Sequence, residues 1–436
     1  MTATAQERLS ARPQIRECGG CGQHQAVPAL QPGMRAKCAR CGITLVSIRT
    51  HSFSHSIALN LAALILMLIM CLTRLMSVET AGILINAGLF SGPEELVRQG
   101  MPALGAVVIF VTVLAPTLKL TGTLYVLIRL HEADPPGHLR RVFAWVEKLR
   151  PWSMIEVFVL GVFVAYVKLG DLVKLELDAG VYALLALTVI IIWADSALDR
   201  ELIWERLGDI ETDKIVVPHQ LDRQELEWAV GCETCGLVSF PRDAHAHCPR
   251  CGSRLHRRKP NSYSRTWALT IAAAVLYIPA NYYPVLTVMQ LGAGAPSTIL
   301  GGVEELVHSR MYPLAALVFF ASIAVPMLKL VGLSIMLIAA QTGHDGWLRD
   351  RTKLYYIVHF VGRWSMIDIF MEALLGALVH FGGVITIEPG IGAVAFCGVV
   401  ILTMFAAETF DPRLMWDAAL AKQRARRMRR LQSPAT

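Results

Sequence analysis

The chain is written twice, and each copy opens with four cysteines in two CxxC pairs before running into long apolar stretches. Glu94, Glu95, Leu96 and Val97 recur as Glu304, Glu305, Leu306 and Val307. Pro116, Leu118, Lys119, Leu120 and Gly122 recur as Pro326, Leu328, Lys329, Leu330 and Gly332, at a constant spacing of 210. Trp152, Ser153, Met154, Ile155 and Phe158 match Trp364, Ser365, Met366, Ile367 and Phe370 at a spacing of 212, so a short loop insertion is the main difference in length. A repeat this long is a duplicated domain, not a solenoid.

The apolar stretches decide the solvent. With 54% hydrophobic and only 17% charged residues, the chain is far from the balance of a soluble domain and reads as a polytopic α-helical membrane protein. Stretches near 56–74, 101–128, 153–168, 180–198, 266–288, 311–340, 364–380 and 389–407 predict eight helices. Those at 153 and 364 are short and begin near an acidic residue. The first run follows some fifty polar residues and is not read as a cleaved signal peptide. The division expected is a cysteine ribbon over 1–50, a four-helix module over 51–205, a second ribbon over 206–260, a second module over 261–418 and a basic tail over 419–436.

Basic residues set the orientation. Arg129, Arg140, Arg141, Lys148 and Arg150 flank the second and third helices. Arg349, Arg351, Lys353 and Arg363 hold the matching loop, and five arginines crowd the tail, whereas the intervening loops carry Glu79, Glu94, Glu95, Glu304 and Glu305. Both termini and segment 199–265 are therefore expected in the cytosol. The net charge of +7 then reflects topology and anionic headgroups, not nucleic acid.

Cys18, Cys21, Cys38 and Cys41 form one complete set, and Cys232, Cys235, Cys248 and Cys251 the other, each knuckle being followed by Gly22, Gly42, Gly236 or Gly252. Two such knuckles complete a tetrahedral four-sulfur site, so two structural zinc ions are expected; rubredoxin-type iron has the same spacing. A closed thiolate site leaves no open position for catalysis. Thioredoxin-type redox thiols would need a single CxxC at a helix start in an α/β pattern. Cys71 and Cys397 lie in apolar segments and read as packing residues.

Charges inside the membrane segments need partners. Lys119 and Lys329 each follow a proline by three residues, and Glu156 and Asp368 follow the Trp-Ser-Met-Ile runs. Helical rise and lysine reach suggest the pairs Lys119 with Glu156 and Lys329 with Asp368, against the alternative of snorkelling lysines and interfacial acids. Glu372 lies one turn after Asp368, and Asp195 and Glu408 read as interfacial. Pro279 and Pro284 disturb the backbone ladder of the fifth helix, where Asn281 would supply hydrogen bonds or meet a headgroup; the matching region, Ile69 to Arg74, lacks this pattern. Alternation over Val173–Asp178 and Val384–Glu388 predicts short strands that pair with loops 77–100 and 289–310 into small outer sheets. Leu139, Val142, Phe143, Val146 and Leu149 predict an amphipathic helix on the membrane surface.

Together the cysteine knuckles, the Glu-Glu-Leu-Val and Pro-x-Leu-Lys-Leu runs, Trp-Ser-Met-Ile and the stretch Tyr277 to Pro284 resemble the paraquat-inducible protein A family, which includes the LetA proteins. The resemblance implies a bacterial inner-membrane protein with two cytosolic zinc ribbons and two tetraspan-like modules, working beside a periplasmic MCE-domain tunnel protein to move phospholipid. It assigns lipid handling or energy coupling to polar membrane residues, here Lys119, Glu156, Lys329, Asp368, Asn281, Ser153, Ser365 and Glu372. No Walker loop or Ser-His-Asp arrangement is visible, so no enzyme is expected. A redox protein cycling its CxxC thiols and a scaffold that only anchors a partner are the competing readings.

Overall fold

The computed structural model describes residues 14–49, 53–80, 83–130, 132, 136–170, 174–208, 228–240, 246–290, 293–378, 380–381 and 385–432. The first ribbon is two antiparallel hairpins, β1 (Gln14–Glu17) with β2 (His24–Val27) and β3 (Arg35–Lys37) with β4 (Thr44–Ser47). Then follow α1 (Phe53–Leu72), the hairpin of β5 (Arg74–Thr80) and β6 (Ile83–Gly88), α2 (Ser91–Arg98), α3 (Pro102–Arg129), α4 (Leu139–Leu149), α5 (Ile155–Gly170), β7 (Lys174–Leu177), α6 (Ala179–Ala197) and α7 (Arg200–Leu207). The second ribbon pairs β8 (Val230–Gly231) with β9 (Val238–Ser239) and joins His247 to Arg254 in a single bridge.

The second half repeats this order. It consists of α8 (Ser262–Tyr282), the hairpin of β10 (Leu286–Gln290) and β11 (Ala293–Ser297), α9 (Ile299–His308), α10 (Tyr312–Thr342), α11 (Leu348–Val361), α12 (Ile367–Leu378), β12 (His380–Phe381), β13 (Ile385–Pro389) and α13 (Ile391–Thr409), closed by α14 (Arg413–Gln432). The ribbons lie at one end of the long helices and the sheets at the other.

Six helical runs among the described residues are long and apolar enough to cross a membrane: α1, α3, Leu139–Gly170, α6, α10 and α13. All eight expected stretches are helical; the two outside that set are α12, with only 12 residues, and α8, diluted by Ser262, Ser264, Arg265 and Thr266. Leu68, Leu72, Val189, Val275 and Ile278 are all more than 60% exposed, which suits contact with hydrocarbon. α3 and α10 each contain one π-helical turn, Phe110–Leu114 and Phe320–Ala324. Pro116 and Pro326 stand just after these turns; a proline has no N–H and collides with the carbonyl four residues back, and the wider turn removes that conflict.

The expected sheets form. β7 joins β5 in a three-stranded sheet ordered β6-β5-β7, and β13 joins β10 in a four-stranded sheet ordered β11-β10-β13-β12. Only part of each glycine-rich loop is strand, because the Glu-Glu-Leu-Val runs are helical within α2 and α9. Gly180 is fixed by this join: a Cβ there would lie 2.3 Å from the Arg74 carbonyl oxygen.

One apolar core spans both halves through α5 and α12. A Cβ at Gly161 would meet that of Phe370 at 2.7 Å. Phe158 and Phe370 meet edge-to-face at 5.5 Å, a geometry that contributes about 0.5–1.5 kcal/mol beyond burial. α4 has the amphipathic pattern expected, but its apolar face is not spent on the membrane surface: Leu139 and Phe143 are buried with Trp204 and Leu255, under the second ribbon. Trp145 is the large apolar side chain it leaves exposed.

Candidate functional site

The four cysteine knuckles share one hydrogen-bond pattern. The carbonyls of Cys18, Cys38, Cys232 and Cys248 accept from the N–H groups of Gly22, Gly42, Gly236 and Gly252 at 2.8–2.9 Å. Those glycines have φ of 71°, 81°, 69° and 71°, a left-handed turn that L side chains adopt with strain. Facing sulfurs are 3.4 and 3.6 Å apart in the first ribbon and 3.4 and 3.5 Å in the second, and each set lies within 4.8 Å overall. Four sulfurs about 2.3 Å from one tetrahedral ion stand roughly 3.8 Å apart, so each buried set has the donors and spacing to hold one metal ion. The hydrogen bonds shared within each set lower one thiol and raise another: Cys18 and Cys248 are lowered, Cys21 and Cys235 raised.

The ribbons are tied together by Arg413, at the start of α14. Its guanidinium donates to Asp411 at 2.9 Å, to Glu17 of the first ribbon at 3.1 Å and to Glu233 of the second. Arg258 adds bonds to Glu17 at 3.2 Å and Asp417 at 2.6 Å. Burial raises the Asp411 carboxyl, but hydrogen bonds from Arg413 outweigh it and hold the group below its ordinary value. Trp416 packs on the first cysteine cluster, with Arg40 over its ring at 4.4 Å.

Within the membrane segments, the lysine pairs differ from those expected. Lys119 donates to Asp195 at 2.7 Å, and Arg150 approaches the same carboxylate at 4.0 Å; Asp195 is a pairing residue, not simply an interfacial one. Glu156 instead meets Arg363 of the second half at 3.6 Å. Lys329 is 2% exposed, and its Nζ donates to Thr403 Oγ1 at 3.3 Å. The contacts Lys119–Glu156 and Lys329–Asp368 are therefore absent. Helical rise fixes depth but not azimuth, and the lysines face α6 and α13 while the acids face the junction of the halves.

Asp368 and Glu372 are 7% and 3% exposed. Neither oxygen of Asp368, nor Oε1 of Glu372, has a hydrogen-bond partner among the described residues. Both line a cavity of about 50 Å³ with Lys168, Ser322, Thr298 and Gly302, bounded by α5, α9, α10 and α12. The matching helix contact in the first half is tighter. α2 lies against α12 so tightly that a Cβ at Gly92 would sit 2.9 Å from the Ala373 carbonyl oxygen, whereas at Gly302 the nearest atom would be Ser297 Oγ at 3.6 Å. Glu95 is buried, with Gln99 on its carboxylate at 3.0 Å, while Glu305 is exposed.

Ser153 and Ser365 are buried with hydroxyls unpartnered among the described residues, and Asn281 donates to the Tyr277 carbonyl at 2.8 Å, one turn back in its own helix. Lys168, Ser322, Arg363 and Thr403 escaped sequence reasoning. A signal was present: in the 212-residue register Glu372 and Thr403 stand opposite Leu160 and Ile191, so the second copy gained polar groups where the first is apolar.

The profile of the paraquat-inducible protein A family matches residues 53–208 and again 263–419. The chain is 35% identical over 404 residues to Intermembrane transport protein PqiA of Escherichia coli (strain K12), covering 92% of this chain and 95% of that one. It is 29% identical over 408 residues to Lipophilic envelope-spanning tunnel protein A of the same organism, covering 93% and 92%. It is 28% identical over 418 residues to a Probable intermembrane transport protein of Haemophilus influenzae, covering 94% and 97%. No solved structure matches the chain.

Proposed function

The chain belongs to the paraquat-inducible protein A family, and from that premise we propose that this multi-pass membrane protein is the inner-membrane component of an envelope lipid-transport system. It passes phospholipid to or from a periplasmic MCE-domain protein, with both termini and both ribbons in the cytosol. The reading takes residues 51–205 and 261–418 as four-helix modules, each behind a zinc ribbon at 1–50 or 206–260, and 419–436 as a basic tail. Zinc is preferred to iron because these ribbons have a folding role and four thiolates satisfy it fully.

One observation carries the proposal: both oxygens of Asp368 and Oε1 of Glu372, buried without a hydrogen-bond partner among the described residues, belong to side chains that share a cavity with Lys168 beneath the sheet. An unpaired carboxylate in such a place is expensive, and a proton or the cationic part of a ligand satisfies it. Lys168 offers a phosphate group its counter-charge. Exchange of protons at Asp368 and Glu372 would then couple the cavity's polarity to lipid passage, with Ser322 and Thr298 as the polar surroundings. The clustering of four thiols around one point favours a metal over thiol cycling, and a passive scaffold has no use for unpaired charge.

Transfer of labelled phospholipid between vesicles containing the protein and a purified MCE-domain partner tests the reading. Asp368→Asn and Glu372→Gln should each abolish transfer while the protein keeps about two zinc ions per chain, one per four-thiolate set. Full transfer by both variants would leave only the scaffold reading.

A further inference from the structure

Around the two buried lysines the halves differ by a matched pair of losses. Lys119 is enclosed by Asp195 at 2.7 Å, which Arg150 approaches at 4.0 Å. In the 212-residue register those two positions are Ala407 and Gly362. A Cβ at Gly362 would lie 2.8 Å from Cε of Lys329 and 3.4 Å from its Nζ, so the lysine occupies space that Arg150 fills in the first half. What remains is a cavity of about 110 Å³ whose lining includes Lys329, Thr403, His359, Arg363 and Glu408.

An ammonium has three donors. Thr403 takes one at 3.3 Å, and no carboxylate lies within ion-pair reach of Lys329 among the described residues. Room of this size, edged by polar groups, holds water. His359, Glu408 and Pro151 also line a second, larger cavity of about 560 Å³, which opens between the ribbons beside Glu17, Glu233 and Arg413. The two spaces share that wall.

We propose that Lys329 is a hydrated site supplied from the ribbon side, with His359 and Glu408 forming the neck between the ribbon vestibule and the lysine. Its ligand is water and the protons water carries; the first half, with Asp195 in place, has no equivalent. The inference rests on the proposed function only for naming the ribbon side cytosolic, and its test does not use lipid transfer.

Thr403→Cys places a thiol at the lysine, and Ile191→Cys places one at the matching position of the first half. Each protein, in sealed vesicles of known orientation, is treated with 2-aminoethyl methanethiosulfonate on one face and an impermeant scavenger on the other, and modification is read by peptide mass. Thr403→Cys should react from the ribbon side about tenfold faster than Ile191→Cys, in line with the dependence of thiol reactivity on access. Adding His359→Trp to plug the neck, or Ala407→Asp to restore the missing carboxylate, should remove that advantage. Ala407→Cys serves as a second reporter should Thr403→Cys fail to fold. Equal rates in the two halves, entry from the sheet side, or indifference to His359→Trp would overturn the proposal.

Discussion

In the first half Lys119 is closed into an ion pair with Asp195, Glu95 is buried under its own partners, and α2 lies hard against α12. In the second half Lys329 leans on a hydroxyl, Glu305 faces outward, α9 stands clear, and Asp368 and Glu372 lack partners among the described residues. The order of helices and hairpins is shared; the charges are settled in one copy and unsettled in the other. Duplication lets this happen, because one copy can hold the membrane assembly together while the other carries groups that reduce stability and respond to ligands or protons.

Each ribbon holds a complete buried four-cysteine set, so both should respond to the loss of a cysteine. Cys38→Ser and Cys248→Ser should each remove one metal ion, on the order of 10 kcal/mol of binding tied to folding. Metal analysis and limited proteolysis would show it; a protein indifferent to either loss would separate the ribbons in role. Next in size, Asp195→Ala should strand Lys119 and lower stability by about 3 kcal/mol, and Lys119→Met in the same chain should restore much of it. Lys329→Met should leave thermal stability intact, since no carboxylate pairs with Lys329 among the described residues. Equal melting shifts for Asp195→Ala and Lys329→Met would erase the electrostatic contrast.

Packing offers a smaller test. Gly92→Ala must push α2 off α12 and should cost about 1–3 kcal/mol, whereas Gly302→Ala, with 3.6 Å to its nearest atom, should be neutral or gain about 0.5–1 kcal/mol from helix propensity. Denaturation in detergent compares them directly, and similar losses would mean α9 is seated as tightly as α2. Smallest is Arg363→Ala, which breaks a partly exposed bridge to Glu156 worth at most about 1 kcal/mol; a larger loss would make that bridge a principal tie between the halves.

Much of this was legible in the residues. CxxCG knuckles specify their own turn, because a thiolate pair reaching one ion and a left-handed glycine are local requirements. Apolar run length gave the helices to within a few residues at most ends, and alternation found β7 and β13. The lysine partners were not legible: pairing by depth put Glu156 and Asp368 opposite the lysines, and the side chains point to different neighbours. The face of α4 was read correctly as apolar and wrongly as membrane-facing, since periodicity says that a face is buried and not what buries it.

The sequence by itself determined the duplication, the two four-cysteine sets, the membrane as solvent and the family, all of which depend on local spacing or composition. Only the tertiary structure decided that Lys119 meets Asp195, that Arg413 joins both ribbons, and that α9 leaves room beside Asp368 and Glu372. The physical reason is that a charge's environment is set by whichever element packs across from it, and that choice is made by helix azimuth and close glycine contacts between residues far apart in the chain.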